Sequence, residues 1–151
     1  GQPLCDQCPW DTVCKAYKED LIDQLPVKTP KKARRIEHKT VFLLECGEQV
    51  AIHKRGDKGL LAGLWEFPNE DKKMDAEDIK EWMAEHHMED AKTKAAGKGK
   101  HIFSHVEWHM TGYEILVDEL EKEFQNPEII FAGKEDLEKN YAIPSAFSAY
   151  L

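Results

Sequence analysis

Apolar and polar positions change their rhythm several times along the chain, and each change marks an element. Val13, Ala16, Tyr17, Leu21 and Leu25 recur at helical spacing behind a capping residue, Asp11 or Thr12, which predicts a helix ended by Pro26. Residues 26–36 hold Pro26 and Pro30 and no apolar period, so they read as a linker and a domain boundary. Thr40 to Cys46 reads as a strand, Gly47-Glu48 as a turn, and Gln49 to Arg55 as the hairpin partner. After the loop Gly56 to Gly59 comes Gly59-Leu60-Leu61-Ala62-Gly63-Leu64-Trp65-Glu66-Phe67-Pro68, the longest stretch with almost no charge. Leu64, Trp65 and Phe67 are costly to leave in water, so this segment is expected against the core as a strand after a glycine loop. Pro68 bars a central strand beyond it.

Asp75 to Met88 places Ile79, Trp82, Met83 and His86 on one helical face, with Asp75, Glu77 and Asp78 at the end where the helix dipole favours acid. Ala91 to Gly99 reads as a flexible basic connection. Val106, Trp108 and Met110 then alternate as in a strand, and past Thr111-Gly112 the alternating set becomes Tyr113, Ile115 and Val117. That slip of one position predicts a β-bulge at Gly112. Gln125-Asn126-Pro127 is a turn, Ile129 to Phe131 a short strand, and Pro144 to Leu151 a final helix. The succession implies an α+β domain over 37–151, a mixed and mostly antiparallel sheet flanked by helices. Residues 1–25 are a cysteine-bearing appendage.

At 151 residues the chain has room for one core plus that appendage. Its net charge of −8 is not that of a general nucleic-acid binder, but the charges are segregated. Lys28, Lys31, Lys32, Arg34, Arg35 and Lys39 form one basic run, and Lys92, Lys94, Lys98, Lys100 and His101 another. Each precedes an ordered segment, which admits phosphate contacts beside the plainer reading of a solvated linker. No apolar run is long enough to span a membrane. The N-terminus has no signal-peptide pattern, and its lack of a Met points to processing or to a piece of a longer chain. Nothing argues for secretion, so the four cysteines are expected as thiols or metal ligands in a reducing compartment.

Cys5-x2-Cys8-x5-Cys14 brings three soft ligands together, suited to zinc or an iron–sulfur cluster, or simply to idle thiols; Cys46 lies outside this local set. His86 and His87 point about 100° apart on a helix and read as surface or core-edge residues. His105 and His109 fall on one face of the predicted strand, with no third ligand in view.

The cysteine spacing resembles the end of the C-x6-C-x2-C-x5-C cluster of helix-hairpin-helix DNA glycosylases. His53-Lys54-Arg55, the run Gly59 to Pro68, Phe103-Ser104-His105 and the linker Leu25-Pro26-Val27-Lys28 resemble, in order, the C-terminal domain of the MutY-type adenine DNA glycosylases. The resemblance implies a Nudix-like fold and a part in base excision repair of adenine paired with 8-oxoguanine. It implies lesion recognition by Phe103, Ser104 and His105. Backbone contacts would come from Lys28, Lys31, Lys32, Arg34 and Arg35. The partners implied are double-stranded DNA containing 8-oxoguanine and an N-terminal catalytic domain of the same protein. That domain would do the glycosidic chemistry, so no catalytic residue is expected in this chain and the fragment alone is expected to be inactive.

The family's first cluster cysteine would precede Cys5 beyond the start of the sequence. The parent is thus expected to carry a 4Fe-4S cluster and this fragment none, with Cys5, Cys8 and Cys14 an incomplete set. A bacterial, cytoplasmic and nucleoid-associated setting follows from the same resemblance. Two alternatives stand beside it: a Nudix-type nucleotide pyrophosphohydrolase and a non-catalytic protein-interaction module. The first needs helical glutamates to hold Mg²⁺ against a diphosphate. Counted from Asn69, those R-E-U-x-E-E positions hold Met83, Ala84, Glu85, His86, His87 and Met88.

Overall fold

A computed structural model describes residues 3–27, 32–117 and 128–151. The chain divides into two units, Gly1–Ala33 and Arg34–Leu151. In the first, the predicted helix shrinks to one α-turn, α1 (Lys15–Lys18), and a 3-10 turn, Cys5–Gln7, precedes its expected span. Asp11 Oδ1 accepts from the neighbouring Thr12 N–H at 2.6 Å, and the N-cap, Cys14, makes no side-chain capping bond. Val13 and Leu25 stay largely exposed, so the helical spacing there buries little surface that could stabilise a longer helix.

The second unit contains strands β1 (Arg35–Cys46), β2 (Gln49–Lys54), β3 (Trp65–Glu66), β4 (Asn69–Glu70), β5 (Lys92–Ile102), β6 (Val106–Leu116) and β7 (Ile129–Gly133). Its helices are α2 (Ala76–Glu85), α3 (Lys134–Lys139) and a closing 3-10 helix, Ser145–Tyr150, where an ordinary helix was expected. The strands form one sheet, ordered β3-β2-β1-β6-β5, with β4 also paired to β1 and β7 to β2. Among the described residues only β1 and β6 run parallel, in unbroken register from Arg35 beside Val106 to Glu45 beside Leu116. The α+β, mostly antiparallel expectation is therefore met. Arg35 and Ile36, assigned above to the linker, are the first residues of β1.

Both faces of the sheet are covered where β1 runs through Val41–Leu44, which explains its continuous apolar run there. Val41 and Leu43 pack on one side with Ile52, Phe67, Trp108 and Phe147. Phe42 and Leu44 pack on the other with Ile115 and with Ile79, Trp82 and Met83 of α2. The apparent slip in β6 has the same cause. Val106, Trp108 and Met110 belong to the first cluster and Ile115 to the second, while the register with β1 stays continuous. There is no bulge in β6; the irregularity lies opposite, in β5 between Ala95 and Gly97. Residues 92–99 are not a loose connection but most of β5, an edge strand. Its lysines face outward, so it shows no apolar alternation. Gly99 and Gly112 make room there for Tyr150, whose ring a Cβ at Gly112 would meet at 2.3 Å.

The run Gly59 to Pro68 only partly enters the core. Phe67 is buried, but Leu60 and Leu64 are more than a third exposed. A wide turn, closed by Gly63 N–H donating to the Gly56 carbonyl at 3.1 Å, carries them away from the sheet. Gly59 and Gly63 take positive φ there, and so does Leu61 at 58°. β4 follows Pro68 directly because the ladder uses that residue's carbonyl, which accepts from Phe42 N–H at 2.8 Å, and needs no N–H from it. The turn expected at 125–127 lies outside the described residues.

Helix α2 begins on a reciprocal cap. Asp75 accepts from Glu77 and Asp78 N–H at 2.9 and 3.0 Å, and Asp78 Oδ2 accepts from Asp75 N–H at 2.9 Å. Asp75→Ala should therefore cost about 1 kcal/mol, read as a lower urea midpoint with an unchanged slope.

Candidate nucleic-acid interface

The β5–β6 connection is a tight turn closed by Phe103 N–H donating to the Val106 carbonyl at 2.8 Å. Ser104 and His105 stand exposed at its tip. Phe103 is half-buried, edge-on to Trp108 at 4.8 Å and to His101 at 4.7 Å, so its ring anchors the turn. Because β1 enters parallel to β6, its first residues arrive at the same place. Arg34 Nε donates to the Phe103 carbonyl at 3.1 Å, and Arg35 N–H donates to the His105 carbonyl at 3.2 Å.

Below the turn a relay runs from the exposed Arg35 through the half-buried Glu37 to the buried Trp108. Arg35 holds Glu37 Oε1 through Nε and Nη2 at 3.0 and 2.5 Å, and Glu37 Oε2 accepts from Trp108 Nε1 at 2.9 Å. The Trp108 ring, 1% exposed, carries Lys39 Nζ at 4.6 Å and the Arg55 guanidinium at 5.6 Å. Lys39 is paired with Asp71 and bonded to Asn69, and Arg55 Nη1 meets Glu66 Oε2 at 2.5 Å. His53 Nε2 is 3.3 Å from the other Glu66 oxygen. Burial pushes the Glu66 carboxyl up. Hydrogen bonds from His53 and Arg55, the Arg55 charge and Asn69 outweigh it and hold the carboxyl below its ordinary pKa.

Of the residues singled out from sequence, the structure brings Phe103, Ser104, His105, Arg34 and Arg35 together. Lys28 and Lys31 lie outside the described residues. Lys32 is exposed in the first unit. Lys39, counted in the basic run, turns inward and is 3% exposed. His105 sits in the turn and not on the strand, so it does not share a strand face with His109, which bonds Glu107 at 2.7 Å. Periodicity missed the supporting Glu37–Trp108–Arg55–Glu66 chain; its one local signal is the i, i+2 placement of Arg35 and Glu37 on a single strand face.

Cys5, Cys8 and Cys14 are free thiols, each partly buried. Burial raises the Cys5 thiol pKa, and Cys14, Cys8 and Asp6 raise it further, so the three thiols are close enough to sense one another. Among the described residues no three His, Cys, Asp or Glu side chains converge into a metal site. A four-ligand cluster is therefore not matched by the donors present. The positions at which a magnesium-binding helix needs its glutamates fare no better. Those positions hold Ala84, His87 and Met88, none a carboxylate; Met88 is buried, and α2 stops at Glu85, before His87.

Residues 40–151 match the NUDIX domain family, and the chain belongs to it. Within that family its similarity runs to adenine DNA glycosylases. The Schizosaccharomyces pombe adenine DNA glycosylase is 28% identical over 155 residues, covering 69% of this chain and 34% of that protein. The enzyme of Buchnera aphidicola subsp. Schizaphis graminum is 34% identical over 127 residues, covering 82% and 35%. The chain thus spans about a third of the length of these curated relatives. Among solved structures, the C-terminal domain of mouse MUTYH, in complex with human PCNA, superposes with a TM-score of 0.55 at 23% identity, covering 76% of this chain and 86% of that one. The MutT protein of methicillin-resistant Staphylococcus aureus 252 gives 0.56 at 18%, covering 78% and 94%. These two likenesses concern the fold.

Proposed function

We propose that this chain is the lesion-reading part of an adenine DNA glycosylase, and that its β5–β6 turn recognises 8-oxoguanine opposite adenine. The observation that carries the proposal is the exposed Ser104–His105 tip with Arg34 and Arg35 fastened to its backbone. The oxidised base differs from guanine by a carbonyl at C8 and a proton on N7. The Ser104 hydroxyl can accept from that N7–H, whereas guanine offers only a lone pair there. Ser104 or the His105 ring can donate to O8. A site built on such a bond discriminates because the analogue leaves a polar group unpaired. Phe103 sets the height of the tip from its place on Trp108. The exposed guanidinium groups of Arg34 and Arg35 supply sequence-independent attraction for phosphate.

The glycosidic chemistry belongs to a separate catalytic domain, to which the basic segment 28–35 tethers the reader at high local concentration. The chain by itself then has no hydrolytic activity. Mg²⁺ and oxidised dGTP should give no pyrophosphate release, and measurable release would instead favour a hydrolase. The repair role sets the protein beside the chromosome, in a bacterial cytoplasm. Any iron–sulfur cluster of the parent would need ligands beyond Cys5, Cys8 and Cys14.

Titrating the 151-residue chain with labelled duplexes that differ only in 8-oxoguanine or guanine opposite adenine tests the proposal. The damaged duplex should bind more tightly. Replacing Ser104 and His105 together by Ala should cut that preference about 10-fold or to nothing, consistent with one or two lost hydrogen bonds, while affinity for the undamaged duplex holds. Equal binding of both duplexes by the wild-type chain would leave a protein-interaction module as the better account.

A further inference from the structure

We propose that the open half of the α2-side sheet face, next to the turn, is a second nucleic-acid surface on which Lys98 and Lys100 hold duplex phosphates. It rests on the reading above in taking DNA as the partner, but it uses residues outside the turn and no lesion contact. α2 covers this face only where Phe42, Ile115 and Thr93 lie; Thr93 Oγ1 reaches Met83 Sδ at 3.1 Å. Towards the turn, beyond the buried Thr40, the same face continues uncovered among the described residues, and the strand register sets its side chains in rows. Ile36, Glu107 and Ile102 form the row nearest the turn; His38, His109 and Lys100 form the next; Thr40, Thr111 and Lys98 follow, with Glu70 opposite Thr40 on β4. Ile36, His38, Lys98, Lys100 and Ile102 are exposed.

The charge on these rows runs against that of the whole chain. Acids outnumber bases by 29 to 21 in the sequence, yet on β1, β6 and β5 Glu107 is the single carboxylate in these rows, and Glu70, at the β4 end of the third, accepts from Trp82 Nε1 at 3.3 Å. Glu107 is already countered by Lys100 at 2.5 Å and His109 at 2.7 Å. These partners hold the Glu107 carboxyl below its ordinary pKa, His109 first and then Lys100. Lys98 has no carboxylate partner among the described residues. His38 meets His109 edge-on at 5.7 Å, which sets two imidazole rings beside the two lysines. A cationic strip laid on a paired strand, with lysines two residues and so about 7 Å apart, complements a polyanion whose charges repeat along a line. Its end abuts the tip that reads the base, so one duplex can meet both. The exposed Ile36 and Ile102, about half accessible, lie between strip and turn, where sugars would pass.

The test is the salt dependence of duplex binding by the 151-residue chain, read by anisotropy with undamaged and 8-oxoguanine duplexes. Each phosphate contact contributes about 0.9 to the slope of log K against log salt. Lys98→Ala should lower the slope by about 0.9 and the double variant K98A/K100A by about 1.8, with affinity for both duplexes falling together and their ratio unchanged. K98R/K100R should restore the slope. K80A/K139A makes the same change in net charge elsewhere and should leave the slope alone. An unchanged slope in K98A/K100A overturns the proposal. So does an equal loss in K80A/K139A, absence of duplex binding by the wild-type chain, or binding to an acidic protein surface but not to DNA. Failure of the lesion reading looks different: the wild-type ratio for the two duplexes would be one while the lysine-dependent slope persisted.

Discussion

Trp108→Ala should destabilise the second unit by about 3–5 kcal/mol, a large share of the 5–15 kcal/mol that holds a domain folded. The ring is 1% exposed and does more than fill space. Phe103 and Phe147 pack against it with centroids 4.8 and 6.1 Å away, and Lys39 and Arg55 lie over it. Its Nε1–H is the group that Glu37 accepts from. Truncation opens a cavity and leaves a half-buried carboxylate short of a donor. Trp108→Phe separates the two effects, since it keeps much of the packing and removes the N–H. A loss of about 1.5–3 kcal/mol is expected for a hydrogen bond to a charged group. Urea denaturation measures both. Amide exchange adds a readout specific to the relay: Phe103 and Arg35 N–H, which close the turn, should lose protection in either variant before the β1–β6 ladder does. If Trp108→Ala stays within 1 kcal/mol of the wild type, the turn is held by something other than this ring.

The elements that periodicity made visible are those buried evenly along their length. β1 and β2 are packed on both faces and read as continuous apolar runs, while the first half of β6 and α2 each meet one packed layer and keep one alternation. β5 was invisible because its stability comes from pairing with β6 and from Tyr150 and Ala149 over Gly99, not from an apolar face of its own. α3 escaped notice because Leu137 is its one buried apolar anchor. Gly112 misled for a different reason. When a strand is covered on one face in its first half and on the other in its second, the apolar phase jumps exactly as a bulge would make it jump, and only the partner register separates the two. The candidate site was legible as a turn, and its residues became specific through family resemblance. Its support was not legible, since Arg34 reaches Phe103 across 69 positions and Trp108 reaches Glu37 across 71. Those contacts exist because β1 and β6 lie parallel, a pairing that no local pattern encodes.

Glu66→Gln should cost about 3–5 kcal/mol at neutral pH, the expected result of removing one partner from a buried ion pair. The substitution keeps the shape, so the loss reports charge. Arg55, four-fifths buried, would keep its charge on the Trp108 face with no carboxylate to meet it, and its Nε already lacks a hydrogen-bond partner among the described residues. The pH dependence distinguishes this from simple damage to packing. In the folded chain the Glu66 pKa lies below its unfolded value, so at low pH the unfolded state binds the extra proton. The stability that the carboxylate contributes is therefore complete above the ordinary glutamate pKa of about 4.3, and it is lost as pH falls through the lowered folded-state value. Wild type and Glu66→Gln should differ by a constant amount above about pH 5.5 and converge in acid. Arg55→Met in the Glu66→Gln background should recover part of the loss, because it removes the stranded cation. A gap between wild type and variant that stays constant into acid would show that Glu66 acts through shape and not through charge.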